Sequence, residues 1–372
     1  MSKVQSLCFE TRPDDSSEIS DSGVDCGRWT LDIGLWTSSV TMPAMEVLRQ
    51  VFFNTAGRLR SGWRLGLFVA IYVLLMFFIT GGSRVVYVLA NLAAPNWTLP
   101  EHIQDLVFRL ILLTASLAAG YICARLLEGL PWRSLGLTLH SRWFRDLLVG
   151  SLIGVGALAL ATAIAFAGGG LRFAFSSAGV SRVAITLAFS AALFIVAALA
   201  EEALFRGYPL QTLTRAKLAW LGVLLTSVPF AAIHLKNPNA GGILAFANTA
   251  LAGVWLSVAY LRTRSLWFPL GVHWAWNWAL GAVFGLPVSG ITKIAPNPLL
   301  VGTDLGPAWL TGAAYGIEGG IACTIALVVS TLFIWRTRLV SADGDLKKLT
   351  SQENPAVAAN PVPAVDLPPS LA

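Results

Sequence analysis

Two carboxylates, a guanidinium, two imidazoles and a carboxamide stand inside apolar stretches of this chain, where polar groups need a reason. Glu201 and Glu202, in Ala200-Glu201-Glu202-Ala203-Leu204-Phe205-Arg206, close an apolar run that starts near Val183. An ionisable group within a membrane span costs about 2.5–3.5 kcal/mol or more, so it normally has a partner, a water-filled cavity and a task. On a helix Glu202 and Arg206 share a face, whereas Glu201 points about 100° away. Glu202 is therefore expected to pair with Arg206, which leaves Glu201 for chemistry. The same spacing of four recurs twice, in Phe230-Ala231-Ala232-Ile233-His234 and in His273-Trp274-Ala275-Trp276-Asn277. The chain has four histidines, and the other two, His102 and His140, are expected in loops. Singly, a histidine bonded to a carbonyl or an asparagine joining two helices is an ordinary packing device. Three such pairs on separate apolar runs point instead to a shared site.

These groups have the parts for peptide hydrolysis in a membrane: an activated water, donors for the oxyanion and a proton for the leaving amine. Glu201 is the candidate base, with Glu202 held ionised against Arg206. His234 can hold the same water, and His273 and Asn277, one turn apart, can donate to the oxyanion. Glu201, His234 and His273 also make an alternative zinc set, two imidazoles and a carboxylate with an open position for water. The chain has no HExxH motif, and residue types alone leave both routes open.

The elements that must position these residues are membrane helices. With 372 residues, 55% hydrophobic content, 12% charged residues and a mean hydropathy of +0.67, the composition implies an all-α polytopic membrane protein and excludes a soluble domain. The net charge of +6 does not imply nucleic acid, because the basic residues lie in short loops between apolar runs. Cys8, Cys26, Cys123 and Cys323 are too scattered for a disulfide framework or a CxxC metal site. Apolar runs near 65–82, 106–127, 146–168, 183–205, 218–235, 243–261, 266–285 and 317–335 make eight expected spans. The fourth is expected to continue to about Thr214, bent by Pro209. Residues 85–93 are apolar but short and read as a surface segment.

Around those spans, residues 1–60 read as a disordered acidic extension with a basic amphipathic approach to the membrane, and 61–182 as N-terminal transmembrane helices. Residues 183–285 hold the motif core, 286–340 an outer loop and the last span, and 341–372 a Pro- and Ala-rich flexible tail. Arginines and lysines crowd one side of the spans, which places both termini in the cytoplasm, as in a bacterial inner-membrane protein. Asn248 is expected to make an interhelical hydrogen bond, Trp267 to mark an interface, and Trp274, Trp276 and Trp278 to pack.

The motifs EExxxR (Glu201, Glu202, Arg206), FxxxH (Phe230, His234) and HxxxN (His273, Asn277) resemble the CAAX-protease and bacteriocin-processing (CPBP, or Abi) family in order and spacing. The resemblance covers roughly residues 183–285. It implies an intramembrane endopeptidase with a core bundle of four helices and an active site at Glu201, Glu202, Arg206, His234, His273 and Asn277. It also implies a peptide or protein substrate, free or membrane-anchored, cut near a C-terminus or leader in contact with membrane lipid. Two other classes compete. An ion- or proton-coupled transporter would use the same buried groups as relays, but no internal repeat is visible. A non-catalytic immunity or scaffold membrane protein would keep the helices and work by binding.

Overall fold

The first long helix settles one expectation about residues 85–93 at once. In the computed structural model, which describes residues 44–54, 57–94 and 98–351, these residues are no separate surface segment. They complete a single helix, α2 (Ser61–Ala93), because no Pro interrupts it and Ser83 Oγ returns its hydrogen bond to Thr80 O. At 33 residues it is about 50 Å long, more than a bilayer core needs. It is preceded by the short helix α1 (Ala44–Phe52). The two are joined by Arg60 Nε donating to Gln50 O and Trp63 Nε1 donating to Val51 O. The extension over residues 1–43 and the tail from 352 lie outside the described residues.

The chain then runs α3 (Glu101–Glu128), α4 (Trp143–Ala167), β1 (Leu171–Phe175) and α5 (Val180–Glu202). After Glu202 the helix widens into a π turn, Ala203–Gly207, and continues as α6 (Tyr208–Arg215). Pro209 supplies the cause: it has no N–H for Phe205 O and its ring pushes that carbonyl aside. α7 (Ala219–His234), α8 (Ile243–Thr263) and α9 (Trp267–Trp278) follow, and α9 also ends in a π turn, Ala279–Val283. A long loop carries β2 (Leu300–Asp304) and α10 (Ala308–Thr311) to α11 (Ile321–Arg336) and α12 (Gly344–Ser351).

The protein is an all-α polytopic membrane protein. Five helical stretches, α2, α3, α4, α5 continued to Arg215, and α8, are long and apolar enough to cross a membrane among the described residues, and α7 and α11 are shorter apolar helices. Every one of the eight expected runs falls on a helix, but three of those helices are short. The two strands went unforeseen: β1 pairs antiparallel with β2 from Leu171↔Asp304 to Phe175↔Leu300 and ties the α4–α5 connection to the long loop. Residues 344–351, expected to be flexible, form α12. Asp343 Oδ1 accepts from the backbone of Asp345 at 3.0 Å and of Leu346 at 3.4 Å, and Leu346 and Thr350, one turn apart, are buried.

Packing between α4 and α9 is tight because glycines let the backbones touch. A Cβ on Gly150 would lie 2.3 Å from Phe268 O, one on Gly154 2.3 Å from Val272 O, and one on Gly271 2.2 Å from Leu147 O. This is the small-xxx-small device of membrane helices, and it seats the residue just before His273. On its other side α9 is pinned to α5: Trp274 Nε1 donates to Ala191 O at 2.9 Å and Trp278 Nε1 to Leu187 O at 3.0 Å, with the two indoles stacked. α2, α3 and α6 meet at a buried ionic cluster in which Glu128 accepts from Arg64 at 2.7 Å and from Arg215 at 2.5 Å.

Candidate active site

Glu202 is fully buried, and its Oε1 is shared by two donors from different elements. Arg206 Nη1 donates to it at 3.1 Å from the π turn, and His273 Nδ1 approaches it at 2.9 Å from α9. The wide turn over Ala203–Gly207 brings Arg206 back over its own helix, where Nη2 donates to Gly253 O of α8 at 3.0 Å. The guanidinium also lies 4.8 Å from the Phe230 ring centre, a cation–π contact in a place without water to compete. Glu202, Arg206, His273 and Gly253 thus lock α5, α8 and α9 together around one charge pair. Arg206 is buried and makes the pair with Glu202 that the spacing predicts.

Glu201 is turned to a different face. Its Oε2 is buried, makes no hydrogen bond to the described chain and lies 3.7 Å from His273 Nε2. That separation leaves the carboxylate an open acceptor beside an imidazole whose other nitrogen is already committed to Glu202. Because Nδ1 faces the Glu202 carboxylate at hydrogen-bond distance, the tautomer with the proton on Nδ1 is the one this geometry favours.

Phe230 is the hinge of the arrangement. Its ring packs edge-on to Phe205 at 5.4 Å, and the rings of His234 and His273 lie 4.7 Å and 6.0 Å from it. His234 Nδ1 bonds Phe230 O at 2.6 Å. A carbonyl only accepts, so Nδ1 carries the proton and Nε2 of the neutral ring is an acceptor. His234, His273 and Asn277 all line one small cavity of about 40 Å³. Since a water needs about 10–15 Å³ measured this way, the space suffices for one or a few waters.

The structure therefore brings Glu201, Glu202, Arg206 and His273 into direct contact, and His234, His273 and Asn277 onto one cavity, with His273 common to both groups. Glu201 is not among the residues that line that cavity. Among the described residues no three His, Cys, Asp or Glu side chains group as ligands for a metal ion. As they stand, Glu201, His234 and His273 do not fit a ready-made zinc site.

Further residues complete the cavity. Asn248 makes the expected interhelical bonds, to Glu318 O and Gly320 O at 2.9 Å each, and lines the cavity as well. Glu318, Ser289 and Cys323 line the same cavity from the long loop and α11. Glycines spaced by four in α4, Gly150 and Gly154, were a readable signal for the α4–α9 seam. Nothing in the sequence marked Glu318 or Ser289.

Over 96 residues the chain is 38% identical to a protein of Escherichia coli described as an uncharacterized 24.3 kDa protein, a match that covers 25% of this chain and 42% of that protein. Residues 183–279, which include Glu201, His234 and Asn277, match the family model described as Rce1-like, type II CAAX prenyl endopeptidase Rce1-like, the family that the three linked motifs resemble.

Proposed function

We propose that this protein is an intramembrane endopeptidase of the CAAX-protease and bacteriocin-processing type, in which Glu201 activates water for attack on a peptide bond. The observation that carries the reading is the split between the two carboxylates. Glu202 is consumed by Arg206 and His273, while Glu201 keeps a buried oxygen free 3.7 Å from His273 Nε2. One water can bond both atoms at ordinary distances. Glu201 takes its proton as the oxygen attacks the carbonyl carbon, then returns a proton to the leaving amine. Asn277, whose carboxamide can donate, stabilises the oxyanion, and the acceptor Nε2 of His234 takes a hydrogen bond from a further water in the cavity that it shares with His273.

We favour the route without a metal, because the chain does not pre-assemble three ligands. A zinc ion would be held by Glu201, His234 and His273 only after the side chains move toward a common point. Elemental analysis of the purified chain is expected to find well under one equivalent of zinc. A stoichiometric metal that protects His234 and His273 from chemical modification would overturn this choice.

The family resemblance supports as substrate a peptide or protein, membrane-anchored or able to enter among the helices, cut near a C-terminus or leader. The protein is expected in a bacterial inner membrane with both termini cytoplasmic. Comparing membrane peptides from cells that carry the wild-type protein or Glu201→Gln tests the activity. Peptides that lengthen in the variant are the expected result. Identical peptide sets together with an unchanged cellular phenotype would favour a scaffold, and altered ion or proton flux a transporter.

A further inference from the structure

Glu318 lies outside the matched segment and outside the three motifs, in the single turn Ile317–Gly319 that precedes α11. It nevertheless lines the same cavity as His234, His273 and Asn277. Its carboxylate joins two elements: Oε1 accepts from Trp276 Nε1 of α9 at 3.0 Å, and Oε2 accepts from Ser289 Oγ at 3.1 Å and from Ser289 N. Its carbonyl accepts from Asn248 Nδ2 of α8 at 2.9 Å, and the oxygen of that carboxamide is held by Thr324 of α11 at 2.6 Å.

The backbone that delivers Glu318 has little freedom. Gly312 and Gly316 have φ of 81° and 92°, and a Cβ on Gly312 would lie 1.9 Å from Gly316 O. Trp276 follows His273 by three residues and immediately precedes Asn277. A carboxylate that grips its indole therefore fixes the rotation of α9 about its own axis, which decides whether His273 and Asn277 face the cavity. A grip by an ionised acceptor is roughly twice as strong as one between neutral groups, and three donors converge on this one.

We propose that Glu318 is a positioning residue of the candidate active site: by clamping Trp276 to Ser289 it holds α9 at the rotation that presents His273 and Asn277 to the cavity, and seals the cavity from the long loop. The inference rests on the hydrolytic reading of that cavity. It assigns the loop beyond the matched segment a part in the reaction.

Cys323 lines the cavity and is 2% exposed, so its reactivity reports on the seal without any need for turnover. The test uses the full chain with Cys8, Cys26 and Cys123 replaced by alanine. The rate at which 2-aminoethyl methanethiosulfonate modifies Cys323 is measured for the parent, Glu318→Ala, Glu318→Gln and Trp276→Phe, together with the amount of cleaved membrane peptide. Glu318→Ala is expected to raise the Cys323 rate and lower the product by roughly tenfold each, as loss of a charged acceptor predicts. Glu318→Gln, which keeps the shape and one acceptor oxygen, is expected to fall between. Adding Trp276→Phe to Glu318→Ala should change neither readout further, since the clamp is already gone. Unchanged Cys323 rate and product in folded Glu318→Ala would overturn the proposal, as would a Trp276→Phe effect that simply adds. If the alanine variant does not accumulate, Glu318→Gln gives the same decision. A failure of the hydrolytic reading looks different: peptides of the parent and of Glu201→Gln would coincide while the Cys323 rates still follow Glu318, which upholds the clamp and removes its catalytic purpose.

Discussion

Adjacent glutamates with different partners are the central feature at the scale of single residues. Glu202 and Arg206 are both fully buried, so Glu202→Gln takes a charge from a site where Arg206 cannot reach water. Breaking a buried pair costs about 3–5 kcal/mol, and His273 loses its anionic acceptor at the same time. Glu202→Gln is expected to lower the thermal midpoint in detergent markedly. Glu201→Gln removes no hydrogen bond to the described chain, and a protein of unchanged thermal midpoint that yields no cleaved peptide is the expected outcome. Similar losses of midpoint in both variants would refute this division of roles. Asn277 lines the cavity, and under the proposed mechanism Asn277→Ala is expected to cut turnover about 10²-fold, the usual effect of losing one oxyanion donor. Product formation by that variant at near wild-type rate would remove Asn277 from the mechanism.

Both motif helices of the EExxxR and HxxxN type carry a π turn beside the motif, Ala203–Gly207 after Glu202 and Ala279–Val283 after Asn277. Such widened turns recur at functional sites because they aim side chains that a regular helix would not. Here the first one lets Arg206 reach both Glu202 and Gly253. The second determinant at this scale is the glycine seam. A side chain at Gly154 has no room against Val272 O, so Gly154→Leu must push α9 and with it His273. Overpacking of this kind costs typically about 1–3 kcal/mol. A large loss of cleavage with folded protein remaining is expected. Gly156, two residues on, has nothing within 4 Å of the place a Cβ would take, so Gly156→Leu serves as the matched control and should behave as wild type. Equal activity of the two variants would show that the seam does not position the site.

For the molecule as a whole, orientation is the open variable, and loop cations decide it. Arg206 and Arg215 are buried in ion pairs and do not count among those cations. The remaining cations still favour one side. Reporter domains fused after Arg145 and after Lys293 are therefore expected on opposite faces of the membrane, the first cytoplasmic. Both reporters on one face would break the topology. The length of α2, about 50 Å by its residue count, requires tilt or protrusion in any such arrangement.

Hydropathy and spacing by themselves determined much of this protein. Long apolar runs admit only helices in a bilayer, since every backbone group must be satisfied within its own segment. The spacing of four in EExxxR, FxxxH and HxxxN follows from helical periodicity, so the facing of Glu202 toward Arg206 and the different facing of Glu201 were legible. What periodicity within one helix cannot encode is which helices meet, and at what depth and rotation. That His273 would reach Glu202 as well as Glu201, that Phe230 would carry Arg206 on its ring, and that Glu318 would arrive from a loop 42 positions beyond Trp276 depended on tertiary packing. The β1–β2 ribbon and α12 were missed for a related reason: short segments owe their structure to contacts with distant partners, and five paired residues or one turn of buried Leu346 and Thr350 leave almost no local signal. Local geometry wrote the motifs into the sequence, and backbone contact at glycines together with shared carboxylates, both long-range, turned them into a site.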